Sequence, residues 1–161
     1  MKNRIGTYLV GAAGEYYVCA EICRIGHHAI LSQKNNPVFD IVAVNDDGNR
    51  SVAIQVKTRS ENNNQRWKIS AGFALEKHDE LFVVLVEMKE KGGCDFYVCK
   101  HSVVAEKINQ VYRNFMEKRK KDGSTRKEVG FRWINDSDIE HDESWKSMKN
   151  NWKPIIDVLS G

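Results

Sequence analysis

Ser51-Val52-Ala53-Ile54-Gln55-Val56-Lys57-Thr58 decides the fold. Val52, Ile54 and Val56 alternate with Ala53, Gln55 and Lys57, the period of two that marks a β-strand. One face is β-branched and needs a core. The other carries a small residue, an amide and an ammonium, with Gln55 and Lys57 pointing the same way. The turn cluster Asn45-Asp46-Asp47-Gly48-Asn49 separates this strand from Phe39-Asp40-Ile41-Val42-Ala43-Val44, so the two read as a hairpin. Pairing them brings Asp40 to one end of the polar face. An acid, a carbonyl oxygen and a lysine then converge on a rigid sheet, the donor set of metal-assisted phosphodiester hydrolysis.

Working outward toward the N-terminus, the segment from about Tyr8 to Ile25 has helical periodicity, and Gly26 is its expected stop. Tyr8, Gly11, Ala12, Val18, Cys19, Ile22 and Ile25 fall on one side, with Glu15 in its middle and Glu21 outside it. A carboxylate on a core-facing stripe is costly unless it is paired or bound to a metal. Gly11 and Gly14 flank it, as close packing of helix on sheet requires.

These residues resemble a known family. Gly11-Ala12-Ala13-Gly14-Glu15 on a first helix, Asp40 opening a strand and Gln55-Val56-Lys57 on the next are similar to the core of PD-(D/E)xK nucleases, in layout closest to Holliday-junction-resolvase-like and small restriction-like domains. The resemblance spans roughly residues 5–100. It implies an α/β fold of the restriction-endonuclease-like kind: three αβα layers around a mixed sheet of about five strands. It also implies a Mg²⁺ (or Mn²⁺) cofactor and DNA as partner. Asp40 would be the central metal ligand, Glu15 a second carboxylate, and Gln55 a carbonyl ligand. The backbone carbonyl of Val56 would add a fourth oxygen, and Lys57 would orient or activate the attacking water. Two departures stand out. The proline is not adjacent to the aspartate, the text being Pro37-Val38-Phe39-Asp40, and glutamine stands at position 55 where the motif has an acid. Glutamine removes one negative charge and weakens metal affinity without changing shape. A catalytically inactive member of the same fold, acting in nucleic-acid binding or as an immunity-type interaction module, is therefore the alternative. A protein-interaction module working through the tryptophan-bearing tail is a third.

The chain has 161 residues, 41% hydrophobic and 29% charged, the profile of one globular domain over 1–161. No apolar run reaches the roughly 20 residues of a membrane span, and no signal peptide is expected from Met1-Lys2-Asn3-Arg4-Ile5-Gly6, which has a basic start but no apolar core. A cytoplasmic location is expected. Cys19 and Cys23 share a helix face, and Cys94 and Cys99 have opposite strand parity, so the four do not close a zinc site. They are expected as small buried hydrophobes.

The net charge of +3 is uninformative, but its distribution is not. Lys107, Arg113, Lys118, Arg119, Lys120, Lys121, Arg126, Lys127 and Arg132 crowd a helix and loop over about 103–132, and from Lys107 onward only Glu117, Asp122 and Glu128 stand against them. The stretch from Asp136 to Glu143 is acidic. The expected DNA-binding residues are Lys118, Arg119, Lys120, Lys121, Arg126 and Lys127, with Thr58 and Arg59 reaching phosphate from the strand and Trp67 stacking on a base between Arg66 and Lys68. A protein that cuts both strands works readily as a two-fold pair, so a homodimer is expected.

The remaining elements follow. Ala29 to Ser32 reads as a short strand, Gln33 to Pro37 and Glu61 to Gln65 as loops, and Trp67 to Phe73 as a strand or loop. Leu81 to Val86 is apolar on both faces and reads as a central buried strand. Asp95 to Cys99 is a strand, Val103 to Lys120 a helix capped by Ser102, and Phe131 to Ile134 a short strand. The tail from about Asp138 to Leu159 is partly helical, interrupted at Pro154. Trp133 and the tail's tryptophans are expected as core or interface anchors, and His78 and His101 receive no role.

Overall fold

A five-stranded mixed sheet divides the protein into two cores. The computed structural model describes residues 6–33, 36–61 and 66–161. The N-terminal hexapeptide except Gly6, the centre of the 33–37 loop and most of the 61–65 loop lie outside the described residues. The sheet order is β1 (His28–Leu31), β2 (Ile41–Val44), β3 (Ser51–Ser60), β5 (Phe82–Met88), β6 (Cys94–Lys100). Only β3 and β5 are parallel; the other neighbours are antiparallel. The parallel pair needs a crossover. It is supplied by β4 (Arg66–Ser70) and α2 (Ala71–Leu75).

Helices α1 (Thr7–Arg24) and α5 (Lys153–Ser160) cover one face. Val18, Ile22, Ile155 and Leu159 pack there on Val52, Ile54, Val56, Val84 and Val86. On the other face lie α2, α3 (His101–Glu117) and α4 (Glu143–Met148), joined by an antiparallel ribbon of β4 with β7 (Phe131–Asn135). Trp67, Ile69, Ile134, Val104 and Ile108 meet Val83 and Leu85 there. The alternation along β5 thus feeds both cores at once, which is why its run from Phe82 to Val86 is apolar on both faces.

The hairpin forms as its sequence directs. Asn45 Oδ1 accepts from the backbone N–H groups of Asn49 and Arg50 at 3.1 and 3.0 Å, and Gly48 takes the left-handed turn at φ +70°. The register that results pairs Ile41 with Ile54 and Val44 with Ser51. Helix α1 stops at Gly26, whose φ of +91° lets the Gly26 and His27 N–H groups return to the carbonyls of Cys23 and Ile22.

Three local expectations change. Ser102 does not cap α3 but sits inside it, because the helix already begins at His101. Pro154 starts a helix instead of interrupting one, lying in the first turn of α5 where its missing N–H has no partner to lose. Among the cysteines, Cys99 is buried, Cys19 and Cys94 are half-buried, and Cys23 is exposed, so only part of that set serves the core.

Gly14 sets the closeness of α1 to the sheet. A Cβ there would fall on the Thr58 side chain, 2.7 Å from Cγ2 and 2.8 Å from Cβ, whereas a Cβ at Gly11 would meet nothing within 4 Å. Gly14→Ala is therefore expected to cost about 1–3 kcal/mol by overpacking, and Gly11→Ala to gain about 0.5–1 kcal/mol from helix propensity. Denaturant melts of both variants check this, and Gly14→Ala combined with Thr58→Ala should recover most of the loss. Equal melts for the two single variants would refute the close contact.

Candidate active site at the mouth of the hairpin

The β2–β3 ladder ends at the Ile41–Ile54 pair, and beyond it β3 continues alone on that side. Asp40 stands at this fork. Its backbone is held on both sides: its N–H donates to the Ile54 carbonyl at 2.9 Å and its carbonyl accepts from the Ser32 N–H at 2.8 Å. The approach is shaped by Asn36, whose Oδ1 accepts from the N–H groups of Val38 and Phe39. Asp40 Oδ2 accepts from the Val56 N–H at 2.7 Å. The aspartate is thereby fastened to the residue between Gln55 and Lys57.

Glu15 and Asp40 line the same cleft, about 500 Å³ in volume, between α1 and the end of β1. Gln55 and Lys57 line an adjoining pocket of about 110 Å³ with Pro37, Val38, Ser70, Phe73 and His78. Glu15, Asp40 and Lys57 feel one another's charge. Burial pushes the Glu15 carboxyl above the ordinary carboxylate range, and the neighbouring Asp40 raises it further while Lys57 opposes. Burial pulls the Lys57 ammonium below the usual lysine value, and Asp40 and Glu15 hold it up in part.

Glu15 does not occupy the middle of the core-facing stripe. The buried residues of α1 are Val10, Gly14, Val18 and Ile22, and Glu15 lies at their edge, half-buried. Tyr8 on the expected apolar side is 64% exposed at the cleft, which pulled the sequence-derived stripe away from the true one. The edge position suits a ligand better than a central one, since the carboxylate reaches the cleft without entering the core.

Three expected DNA contacts are taken up by the fold. Thr58 Oγ1 is buried against Gly14 and has no hydrogen-bond partner among the described residues. Arg59 is 1% exposed and pairs with Glu87 at 2.6 Å and with Asp136, its guanidinium stacked 3.9 Å from the centre of the Trp67 ring. Trp67, also 1% exposed, donates its Nε1–H to the Val86 carbonyl at 3.1 Å. Arg59 and Trp67 are closed off by the β4–β7 ribbon, out of reach of a duplex, and half-buried Thr58 keeps its hydroxyl under α1. Lys118, Arg119, Lys120, Lys121 and Lys127 are exposed beyond the end of α3, and Arg126 is half-buried against Phe115.

Sequence spacing gave no sign of Glu76 and His78, which wall the Lys57 pocket and touch each other at 3.0 Å. They arrive through the crossover, and a single histidine near an element end carries no periodic signal.

The residues fit a hard divalent cation. Gln55 is 7% exposed, and its Oε1 is a buried acceptor with no donor among the described residues. With the Glu15 and Asp40 carboxylates of the neighbouring cleft it would offer oxygen donors of the kind Mg²⁺ prefers. Among the described residues no three Asp, Glu, His or Cys side chains gather for a metal, so a cation held here would need the amide in place of a third acid. Glu15→Gln is expected to raise the melting temperature, because it removes a half-buried charge that Asp40 repels. The sign follows from the raised native pKa. There is no penalty below the ordinary carboxylate range, where Glu15 is protonated folded and unfolded, and a growing one as pH rises through the native value. Melts at pH 4 and pH 8 check it. A gain at pH 4 equal to that at pH 8 would contradict it.

No protein-family model matches this chain, and no curated protein does. Among solved structures it is similar to Hjc, a Holliday junction resolvase from the archaeal hyperthermophile Archaeoglobus fulgidus, with TM-score 0.44 and 16% identity over 80% of this chain and 85% of that one. It is also similar to a bacterial homing endonuclease, with TM-score 0.44 and 14% identity over 63% of this chain and 74% of that one.

Proposed function

We propose that this protein is a divalent-metal-dependent nuclease that hydrolyses DNA phosphodiester bonds. The observation that carries the reading is the Asp40 carboxylate fastened to the Val56 N–H, between Gln55 and Lys57 and beside Glu15. Asp40, Glu15 and Gln55 Oε1 would hold Mg²⁺ or Mn²⁺, with the Val56 carbonyl as a further donor. The bound cation would lower the pKa of a water and neutralise charge on the phosphate. One Asp40 oxygen is held by the Val56 N–H while the residue lines the cleft, so its orientation is fixed before substrate arrives. Lys57, desolvated and walled by Phe73, can hold the attacking water and place a positive charge on the phosphate oxygen. Lys118, Arg119, Lys120, Lys121, Arg126 and Lys127 would contact the DNA backbone. A cut in both strands needs two such centres, which a two-fold pair of chains supplies.

The test is cleavage of duplex, branched and single-stranded DNA in Mg²⁺ and Mn²⁺, with Asp40→Asn as control. Wild-type cleavage that the variant lacks supports the reading. Intact substrates with salt-dependent DNA binding favour the second reading, a non-cleaving DNA-binding protein of this fold, for which Gln55 at the third-acid position speaks.

A further inference from the structure

The outward face of the β4–β7 ribbon carries aromatic and cationic side chains that the proposed chemistry does not use. Arg66, Lys68 and Ser70 alternate with the buried Trp67 and Ile69, and Phe131, Trp133 and Asn135 alternate with the buried Arg132 and Ile134. The register sets Trp133 opposite Lys68 and Asn135 opposite Arg66. Lys68 Nζ lies 3.7 Å from the centre of the Phe131 ring. Beside this face runs a groove of about 330 Å³ lined by Arg66, Val111, Tyr112, Phe115, Trp133 and Asn135. Its lining is aromatic and cationic, with no acid. The basic loop closes one rim: Arg126 stacks 4.1 Å over Phe115, and its Nε donates to the Lys118 carbonyl at 2.8 Å.

A groove lined only by apolar groups would suit a hydrophobic partner. This one combines flat rings with cations at the rim, which suits a ligand that is aromatic at its centre and anionic at its edge. Duplex DNA keeps its base faces stacked and unavailable, so the matching ligand is an unpaired base with its phosphates. The ribbon also points somewhere. The outward row Arg66, Lys68, Ser70 ends at the pocket of Gln55 and Lys57, which Ser70 lines. Four strand steps cover roughly 13 Å, the span of about two nucleotides.

We propose that this groove binds an unpaired base of single-stranded DNA, stacked on Trp133 and Phe115, and that the row Arg66–Lys68–Ser70 guides the strand toward Lys57. Binding in the groove stands on its own, while the choice of DNA and the guidance rest on the nuclease reading.

The test is fluorescence anisotropy with a labelled oligothymidylate and a blunt duplex, in EDTA, with intrinsic tryptophan emission followed in parallel. Trp133 is the half-exposed tryptophan, whereas Trp67, Trp145 and Trp152 are buried, so quenching by the oligonucleotide reads this groove. Stacking contributes about 1–3 kcal/mol per base, so Trp133→Ala and Phe115→Ala should each weaken oligonucleotide binding by about 5- to 150-fold. Trp133→Tyr, which keeps a ring, should stay within a few-fold of wild type. Duplex binding should change little. The proposal is overturned if wild type does not bind the oligonucleotide, if emission is unchanged on binding, or if Phe115→Ala and Trp133→Ala bind as wild type does. Groove binding by a protein that cleaves nothing in Mg²⁺ would uphold the groove and remove the nuclease reading. Cleavage without groove binding would do the reverse.

Discussion

Asp40→Asn is expected to reduce Mg²⁺-dependent DNA cleavage by at least about a thousandfold, roughly 4 kcal/mol of transition-state stabilisation. The substitution isolates charge from shape. Asparagine has a carbonyl oxygen where Asp40 Oδ2 accepts from the Val56 N–H, so the fork between β2 and β3 should persist. What disappears is one of the two carboxylates that line the cleft among the described residues, position 55 being already an amide. The effect on cation affinity should therefore exceed that of the same exchange in a site with three acids. Single-turnover cleavage across a Mg²⁺ titration, with circular dichroism to confirm folding, makes the measurement. A variant that folds and still cuts at the wild-type rate would remove Asp40 from the mechanism. Gln55→Glu is the converse experiment, and tighter cation binding is its expected result.

Arg59→Met is expected to lower stability by about 3–5 kcal/mol. Arg59 lies at the end of β3, 1% exposed, between Glu87 and Asp136 and flat against Trp67. Methionine replaces the stem but leaves Glu87, itself 9% exposed, without its buried cation. Lys89 contacts Glu87 at 2.6 Å from the more open side and also bridges to Asp95 at 3.0 Å, so part of the charge remains compensated. The lower half of the range is expected for that reason. Combining Arg59→Met with Glu87→Leu should recover most of the loss, since removing both members avoids an uncompensated charge. Urea melts of the two single variants and the double variant give the coupling directly. Additive losses would show that the pair is not a unit. The duplex-DNA affinity of a folded Arg59→Met protein should not change, in contrast to what a phosphate-contacting Arg59 requires.

The same residue shows where sequence reading stops. Period-two alternation put Gln55 and Lys57 on one face of β3 and Val52, Ile54 and Val56 on the other, as they stand in the fold. It said nothing about what covers each face. Lys57 opens into a pocket while Arg59, two residues on, is roofed by a ribbon whose strands, Arg66–Ser70 and Phe131–Asn135, are more than 60 residues apart in the chain. Trp67 looked like an exposed ring between two cations and is instead the inward side of that roof. Helical periodicity similarly located Glu15 near the sheet but misjudged its angle, because cleft-lining Tyr8, Gly11 and Ala12 are as apolar as core residues.

By itself the sequence determined the local and the alternating: the hairpin and its turn, the helix ended by Gly26, the strand buried on both faces, and the presence of two carboxylates, an amide and a lysine on elements that adjoin. Those features are legible because each depends on neighbours within a few residues, through backbone geometry and side-chain period. The tertiary structure alone decided which polar side chains reach solvent. It fastened Asp40 to Val56, closed over the Thr58 hydroxyl, Arg59 and Trp67, and laid Trp133 beside Phe115 in an open groove. Exposure depends on which distant segment closes over a face, and that choice belongs to the packing of the whole chain.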